Sequence, residues 1–354
     1  MKRKQALLAQ FIAHLAVDLA CSYLLFSRLP AEKLPAGALI FLLISFALRP
    51  FLGLVLDAFP NLQPQAAGCA LVSVGTLLPS SWWGAALILA ALGSALFHTG
   101  AAGESICFAR GLYARAAIVF APGAIGAALG QVCAAQPILS LLPALTVPAS
   151  AVLCFLFTEA RKYPRRIRAF ASTVRGFYPP WAVLLLTLIV TGFATLSRSI
   201  LPAQATGWNL LGLAVMATLG RLLGGFAADR FGPRKTLMTC FAAALPCMTV
   251  FVHIPWIYAI GIGLLAAPFA VMLGNLTASL PQNPHFAFGI LSLAIMAGSL
   301  SAFVTETVTN PMRYTASGLI LICLLASSLL NTDFCRRFAP PRKVESRTRK
   351  EERK

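Results

Sequence analysis

The chain has 354 residues, of which 58% are hydrophobic and 11% are charged, and its mean hydropathy is +0.79. A soluble domain is about 45–50% apolar and about 25% charged. This composition excludes a soluble enzyme, a disordered chain and a disulfide scaffold, and it predicts an all-α membrane protein that crosses the bilayer many times. The sequence contains no P-loop, HExxH or GxSxG motif, so we expect neither nucleotide-driven nor hydrolytic chemistry.

The formal net charge of +18 does not indicate a nucleic-acid partner. The basic residues lie between and after the apolar runs, as the cytoplasmic Lys and Arg of membrane proteins do. Anionic lipid is the partner that we expect for the basic tail, because clustered cations are attracted to a charged membrane surface. The nine cysteines are scattered without a CxxC pair, so we predict no disulfide framework, no metal site and no cofactor.

Glycine, proline, tryptophan and charged residues divide the apolar sequence into twelve predicted transmembrane helices in two pseudo-symmetric six-helix bundles. The predicted spans are 6–27, 36–57, 66–80, 82–109, 114–135, 138–158, 180–200, 203–228, 236–253, 255–279, 285–306 and 312–333. The first follows a basic N-terminus as a signal peptide would, but His14 and Asp18 interrupt its apolar core, so we predict a retained helix. The predicted units are the first bundle (1–158), a basic linker (159–178), the second bundle (179–334) and a basic tail (335–354).

The distribution of Lys and Arg sets the predicted orientation. With both termini in the cytoplasm, 23 of these residues lie on the inner side and four on the outer side, while Arg49 and Arg221 lie within spans. An excess of this size is typical of the positive-inside pattern of multi-pass proteins. We therefore predict a cell-membrane protein with both termini in the cytoplasm.

Two segments of the chain repeat at an offset of 172 residues, close to half its length. They follow the pattern Arg-x3-Gly-x3-Asp and end the second and eighth spans: Arg49, Gly53 and Asp57, and Arg221, Gly225 and Asp229. Steps of four residues place each triplet on one helix face. The repeat predicts that the chain consists of two related halves of six helices each.

The second copy continues into the sequence GFAADRFGPRK at 225–235. It resembles the G-x-x-x-D-R-x-G-x-R-K loop signature of the major facilitator superfamily at every fixed position, between spans eight and nine. The first copy keeps its glycine and aspartate but continues without the basic residues. The resemblance implies a gating loop with these members: Gly53, Asp57, Gly225, Asp229, Arg230, Gly232, Arg234 and Lys235.

The resemblance also implies how such a loop works. Asp229 would cap a neighbouring helix and pair with the loop cations, which latches one state of a transporter closed. The glycine four residues earlier would let another helix pack closely. The alternative is a charged loop that only sets the topology of the chain.

Two further stretches resemble narrower groups of the superfamily. The segment Leu92–His98 is similar to the fourth helix of fosmidomycin-resistance-like efflux transporters, with Thr99 where those proteins usually carry proline. The spacing of Gly123, Gly126 and Gly130 resembles the fifth-helix motif of antiporters. Tight packing of small residues is the alternative explanation of these glycines.

Ionisable residues inside the spans mark a candidate substrate or proton site, because each costs at least about 2.5 kcal/mol at membrane depth on insertion scales. His14 and Asp18 lie four residues apart on one face of the first span, and His98 and Glu104 lie on the fourth. At about 1.5 Å per residue, the two histidines come to similar depths near the bilayer midplane. The His14–Asp18 pair suits a coupling proton, or equally a structural hydrogen bond to a neighbouring helix.

Arg49 and Glu104 are predicted to form an ion pair or a one-water bridge, since both lie roughly 9–12 Å from the cytoplasmic ends of their helices. Arg221 has no equivalent partner, because Leu276 stands 172 residues after Glu104. We therefore expect Arg221 to face a polar neighbour such as Asn275, or the cavity, where it would attract an anionic substrate group.

Taken together, these features predict a monomeric twelve-helix transporter, not an enzyme, that moves a small molecule by alternating access. Proton-coupled efflux is the favoured mechanism, with uptake or facilitated diffusion of a metabolite as the alternative within transport. A transporter-like receptor or scaffold is the alternative of another class. The intramembrane histidines and carboxylates favour transport, while the compact length and the incomplete first copy of the loop favour the scaffold.

Overall fold

The helical prediction can be compared with a computed structural model, which describes residues 2–59, 61–109, 111–157, 180–200, 208–300 and 310–330. Across these residues the chain forms fifteen α-helices and no strand, so the all-α prediction is confirmed. The predicted basic linker at 159–178 and the basic tail at 335–354 lie outside the described residues.

Eight of the described helices belong to the first half and seven to the second. The first half contains α1 (Lys2–Arg28), α2 (Leu34–Ala47), α3 (Arg49–Ala58), α4 (Pro64–Leu77), α5 (Trp83–Ala109), α6 (Tyr113–Phe120), α7 (Gly123–Ala135) and α8 (Leu141–Phe157). The second contains α9 (Pro180–Ile200), α10 (Trp208–Phe231), α11 (Pro233–Thr249), α12 (Pro255–Ala266), α13 (Phe269–Ser279), α14 (Pro284–Ser299) and α15 (Asn310–Leu329).

Three spans are broken by proline, which has no backbone N–H and whose ring clashes with the preceding helical turn. Pro50 lies in the first turn of α3, Pro122 precedes α7, and Pro268 precedes α13. Counting each broken pair once gives twelve helical spans in the described residues, as predicted. Eight of these are long and apolar enough to cross a membrane, and α4, α8, α11 and α14 complete the twelve with 14 to 17 residues each.

Small residues hold the first half together. The helix α1 packs against α7 and α8, and α4 packs against α5. A Cβ at Gly126 would overlap the carbonyl oxygen of Leu15, and a Cβ at Gly130 would overlap that of Leu19. These two glycines therefore let the backbones of α1 and α7 touch, which supports the packing interpretation of their spacing.

The two halves meet along two helix pairs that the internal repeat relates to each other. The helix α3 packs against α14, and α10 packs against α6. A Cβ at Gly53 would overlap the backbone of His285 and Phe286. A Cβ at Gly225 would press on Ala117. Both repeated glycines thus permit a close approach between helices of opposite halves.

Candidate functional site

A cavity of about 550 Å³ lies between the two halves. Its lining comes from α1, α2, α3, α5, α6 and α7 of the first half and from α9, α10, α12, α13 and α14 of the second. The charged and titratable residues of the lining are His14, Asp18, Arg49, His98, Arg198, Arg221 and Tyr258. Five of the six residues that the sequence predicts for a substrate or proton site are in this set, and Glu104 is not.

His14 and Asp18 of α1 meet His98 of α5 on one wall of the cavity, and we call these three residues the His–Asp–His cluster. His14 Nε2 lies 3.3 Å from Asp18 Oδ2, and His98 Nε2 lies 3.2 Å from Asp18 Oδ1. The two Nε2 atoms lie 3.1 Å from each other. The similar depths predicted for the histidines are thus accompanied by direct contact, which counting along the helices could not show.

Backbone carbonyls fix the tautomers of both imidazole rings. His14 Nδ1 lies 2.6 Å from the carbonyl oxygen of Val119. His98 Nδ1 lies 2.7 Å from that of Ser94. Because a carbonyl oxygen only accepts, each Nδ1 carries a hydrogen and donates it, and a neutral ring then has a bare lone pair on Nε2. Those lone pairs face each other and the carboxylate of Asp18, so a bound proton or a cation at this point would bridge three acceptors.

The start of α7 reaches the same cluster. A Cβ at Gly123 would overlap Asp18 Oδ2 and His14 Nε2, so glycine is needed for this approach. The N–H groups at a helix N-terminus carry partial positive charge, which stabilises the Asp18 carboxylate. Gly123 therefore allows α7 to reach the cluster, whereas Gly126 and Gly130 allow α1 and α7 to pack closely.

The break between α6 and α7 supplies hydrogen-bond acceptors to side chains of both halves. A continuous helix would use these carbonyls internally, but α6 ends at Phe120, and a helix leaves its last carbonyls without intrahelical partners. Three consecutive carbonyls are taken by side chains instead: Val119 by His14, Phe120 by Arg221 at 2.7 Å, and Ala121 by Thr218 at 2.9 Å. Broken helices with this arrangement are typical of sites at the centre of transporters.

Arg49 enters the cavity from the first turn of α3, between two aromatic rings. Its guanidinium carbon lies 4.0 Å from the ring centre of Phe46 and 5.5 Å from that of Phe288. Its two Nη atoms donate to the hydroxyls of Ser45 and Ser292, each at 3.3 Å. Its Nε is buried and has no hydrogen-bond partner among the described residues.

Arg221, the equivalent residue of the second half, faces the cavity and not Asn275. Besides its bond to the Phe120 carbonyl, its guanidinium carbon lies 5.6 Å from the ring centre of Phe269. Arg198 of α9 joins it on the lining. Of the two environments predicted for Arg221, the structure therefore shows the cavity.

The predicted ion pair between Arg49 and Glu104 is wrong. Glu104 Oε2 accepts hydrogen bonds from Gln65 Nε2 at 2.6 Å and from Gln10 Nε2. Arg49 instead bonds to serine hydroxyls and stacks on rings, as described above. Counting residues places the two charges at similar depths, but the rotation of each helix about its axis decides which neighbours a side chain meets.

The repeated aspartates cap helices of the opposite half. Asp229 Oδ1 accepts the backbone N–H of Tyr113 at 2.8 Å, and its Oδ2 accepts that of Ala114 at 2.9 Å, at the start of α6. Asp57 does the same for α14: its Oδ1 accepts the N–H of His285 at 3.2 Å, and its Oδ2 accepts that of Phe286 at 3.0 Å. The imidazole of His285 adds a third bond, from Nδ1 to Asp57 Oδ1 at 2.7 Å.

The rest of the predicted gating loop comprises the end of α10, a turn at Gly232 and the start of α11. Gly232 has a φ of 90° between α10 and α11, a backbone conformation that favours glycine. The loop cations are exposed, and among the described residues none of them pairs with Asp229: Arg230, Arg234 and Lys235. The capping that the resemblance implied is present in this structure, and the ion pairing of Asp229 with those three cations is not.

Several site residues were missed from the sequence. Arg198 was counted with the outer loops because it ends an apolar run, yet it lines the cavity. His285 lies far along the chain from Asp57, so no local spacing links them. Phe46 precedes Arg49 by three residues, and that helical spacing could have indicated a ring beside the guanidinium.

No family model matches the chain, and no curated protein matches it. Its fold is similar to that of a major facilitator superfamily transporter, FucP, in the outward conformation, with a TM-score of 0.64 and 14% identity over 93% of this chain and 98% of that one. The human organic anion transporter MFSD10 gives a TM-score of 0.66 with 12% identity over 92% and 99% of the two chains. A bacterial homologue of the iron transporter ferroportin, in an outward-facing state, gives 0.59 with 16% identity over 93% and 97%.

Identities this low show the fold alone, and none of these three proteins bears on the narrower resemblance to fosmidomycin-resistance-like transporters. The helix count, the two related halves, the cavity between them and these structural likenesses agree with one another. The chain is therefore a multi-pass membrane protein with the fold of the major facilitator superfamily transporters.

Proposed function

We propose that this protein is a secondary transporter that moves a small molecule across the cell membrane by alternating access, with protons as the coupling ion. The observation that carries the proposal is the His–Asp–His cluster on the wall of the central cavity. Its geometry brings two imidazole nitrogens and a carboxylate together so that one bound proton could bridge them, and imidazole binds and releases protons near neutral pH. Three ionisable groups gathered at membrane depth are costly for a receptor or scaffold that transports nothing.

Proton binding at the cluster is influenced by the groups that share the cavity. Arg49 faces it from α3, Arg198 from α9 and Arg221 from α10, and Tyr258 lies on the lining from α12. Cys21 is buried one turn after Asp18 on α1 and lies against α5, with its thiol 3.7 Å from the carbonyl of Ala90. Movement of the halves during transport would change these distances and thereby the proton affinity of the cluster.

The aspartate caps support a two-state mechanism. They join the halves at one end of the bundle, while the lining extends from Arg49 and Arg221 toward the other end, at Arg198 and Tyr258. In the orientation predicted from Lys and Arg, the capped end is cytoplasmic and the cavity faces outward. Breaking the caps would then open the cytoplasmic end. Efflux in exchange for protons is the direction favoured by the sequence, and the sign of the proton flux decides it.

A divalent cation is a second candidate for the cluster. One ligand atom from each of its three residues lies within 4.8 Å of the others, and histidines that donate Nδ1–H to a carbonyl are typical of metal sites. The bacterial ferroportin homologue in the comparison was solved with soaked iron. Three arginines on the same cavity repel a dication, however, and this favours the proton.

Proteoliposomes that contain a pH-sensitive dye test the proposal. The solutes are glucose, alanine, benzenesulfonate, phenyltrimethylammonium and Mn²⁺, each applied as a gradient. We expect at least one organic solute to move protons through the wild-type protein. Asp18→Asn should abolish this flux, and Glu32→Gln, at an exposed carboxylate, should retain it. The absence of proton movement with every solute would contradict the proposal, and so would full proton flux through Asp18→Asn. Proton movement with Mn²⁺ and with none of the organic solutes would support the metal alternative.

A further inference from the structure

We infer that the cavity binds a small organic anion, held between Arg49 of the first half and Arg221 of the second. The inference rests on the proposed function, because it takes the cavity as the transport path. Three observations carry it: the charge balance of the lining, the hydrogen-bond donors that the arginines leave unused, and the aromatic rings beside them.

The lining carries more positive than negative charge. Arg49, Arg198 and Arg221 contribute three guanidinium groups, and Asp18 contributes the one carboxylate among the lining residues that the structure describes. That carboxylate is engaged by the two imidazoles of the cluster, and none of the three arginines has an ion pair among the described residues. Arginine stays ionised in proteins. The described part of the lining therefore holds uncompensated positive charge, which an anion would offset and a cation would increase.

Arg49 has donors available for such an anion. The residue is 4% exposed, and its Nε is buried without a partner in the described part of the chain. Its bonds to Ser45 and Ser292 are long for charged donors, at 3.3 Å each. A planar guanidinium presents five N–H donors in a fork that matches carboxylate, sulfonate and phosphate oxygens. Most of that capacity is free at Arg49.

Arg221 completes the site from the opposite half. Its one hydrogen bond among the described residues goes from Nη1 to the carbonyl of Phe120, which orients the guanidinium. Because Arg49 and Arg221 occupy equivalent positions of the internal repeat, they approach the cavity from opposite halves. An anion between them would contact both halves, as a substrate of an alternating-access transporter does.

The remainder of the lining suits an apolar body. Phe120 contacts both aromatic neighbours across the halves, with ring centres 5.1 Å from Phe269 and 5.3 Å from Phe288. Each arginine lies over one of these two rings, so the head group and the body of a ligand would meet adjacent surfaces. A volume of about 550 Å³ lies within the range of small-molecule pockets and exceeds the needs of a single inorganic ion.

Phenyl compounds that differ in their head group test the inference. Full-length protein in lipid nanodiscs is titrated with benzenesulfonate, benzoate, benzenesulfonamide and phenyltrimethylammonium, and binding is measured by calorimetry. We expect the two anions to bind and the neutral and cationic compounds not to bind at the same concentrations. Arg49→Gln and Arg221→Gln should each weaken anion binding at least tenfold, because each removes charged donors. Arg115→Gln, at an exposed arginine outside the cavity lining, is the matched control and should have no effect.

Arg49→Met separates binding from folding. The hydroxyl of Ser45 donates to Ser94 Oγ at 3.1 Å, and that of Ser292 donates to the carbonyl of Phe288 at 2.9 Å. Each hydroxyl therefore keeps a hydrogen-bond partner when the guanidinium is removed. We expect Arg49→Met to keep or raise the Tm while it loses anion binding at least tenfold. A Tm well below that of the wild type would assign Arg49 to the structure and overturn its role in binding.

The remaining outcomes distinguish this inference from the proposed function. The anion inference would be overturned if the neutral or the cationic compound bound as tightly as the anions or more tightly. The proposed function would still stand if that compound drove proton flux. No binding of either anion would overturn the inference as well. Anion binding that both glutamine variants retain would overturn the assignment to these arginines. Anion binding without proton flux for any solute would contradict the proposed function alone.

Discussion

At the scale of single residues, His14 shows how one side chain can have a structural and a chemical role. The sequence left two interpretations open, a hydrogen bond to another helix and a coupling proton. Its Nδ1 donates to the carbonyl of Val119, which positions the ring, and its Nε2 faces Asp18 and His98. Since the two nitrogens of one imidazole are distinct, the structure accommodates both interpretations.

Gly123→Ala is expected to damage the cluster while the chain still folds. The new methyl group would overlap Asp18 Oδ2 and His14 Nε2, so α7 or the cluster must move. Overpacking of this kind costs about 1–3 kcal/mol. We expect proton-coupled flux in proteoliposomes to fall at least tenfold.

Gly212→Ala is the control for this prediction, because no atom of the described residues lies within 4 Å of its added Cβ. It should keep wild-type flux and the same or a higher Tm, since alanine favours helix. Wild-type flux in Gly123→Ala would mean that the start of α7 is not needed for the proton site.

At the scale of helices, the broken spans connect the site to the interface between the halves. The proline break in the fifth span releases carbonyls that hold His14 from one half and Arg221 from the other. The same span is capped at its start by Asp229 of the second half. A single broken helix thus contacts the His–Asp–His cluster, one arginine of the inferred anion site and the closed end of the bundle.

Asp229→Asn is expected to favour opening of the capped end. An amide oxygen accepts like a carboxylate oxygen, but the charge and the second acceptor are lost, and a lost N-cap costs about 0.5–2 kcal/mol. Such a change alters a two-state population several-fold. A cysteine introduced at Ala287, a fully buried position on α14, should then react faster with a water-soluble thiol reagent.

Asp57→Asn should have a similar effect on this labelling, because it caps the equivalent helix of the other half. Glu32→Gln, at an exposed carboxylate, should have none. Unchanged labelling of well-folded Asp229→Asn would leave this residue with a role in topology only.

At the scale of the whole molecule, the charge of the cavity predicts the sign of coupling. A bound anion and a bound proton carry opposite charges in one cavity, so each favours binding of the other. A cation would compete with the proton, and competition leads to exchange. If the substrate is an anion, we expect it to move in the same direction as the proton, in contrast to the exchange favoured by the sequence.

An inward gradient of benzenesulfonate tests this sign in dye-loaded proteoliposomes whose membrane potential is clamped with potassium and valinomycin. The lumen should become more acidic, and Asp18→Asn should abolish the change. Benzenesulfonate is permanently charged, so diffusion of a neutral acid cannot imitate the signal. A lumen that becomes more alkaline would support exchange and contradict the predicted direction.

The sequence by itself determined the properties that depend on order along the chain. Hydropathy gave the twelve spans, because burial in a bilayer depends on runs of apolar residues. The spacing of Gly53 and Asp57, repeated at Gly225 and Asp229, gave the two halves and the residues that join them. The sequence also singled out five of the charged and titratable residues that line the cavity, since charges inside apolar spans are rare and therefore conspicuous.

Only the tertiary structure decided which of these residues meet. Counting at 1.5 Å per residue gives the depth of a side chain, but the crossing angle and rotation of each helix set its neighbours. Glu104 therefore lies between two glutamines and not beside Arg49. For the same reason the partners of the caps, and the rings of Phe288 and Phe269 beside the two arginines, were not predictable. They come from helices distant in sequence, and contact between such helices results from packing and not from local pattern.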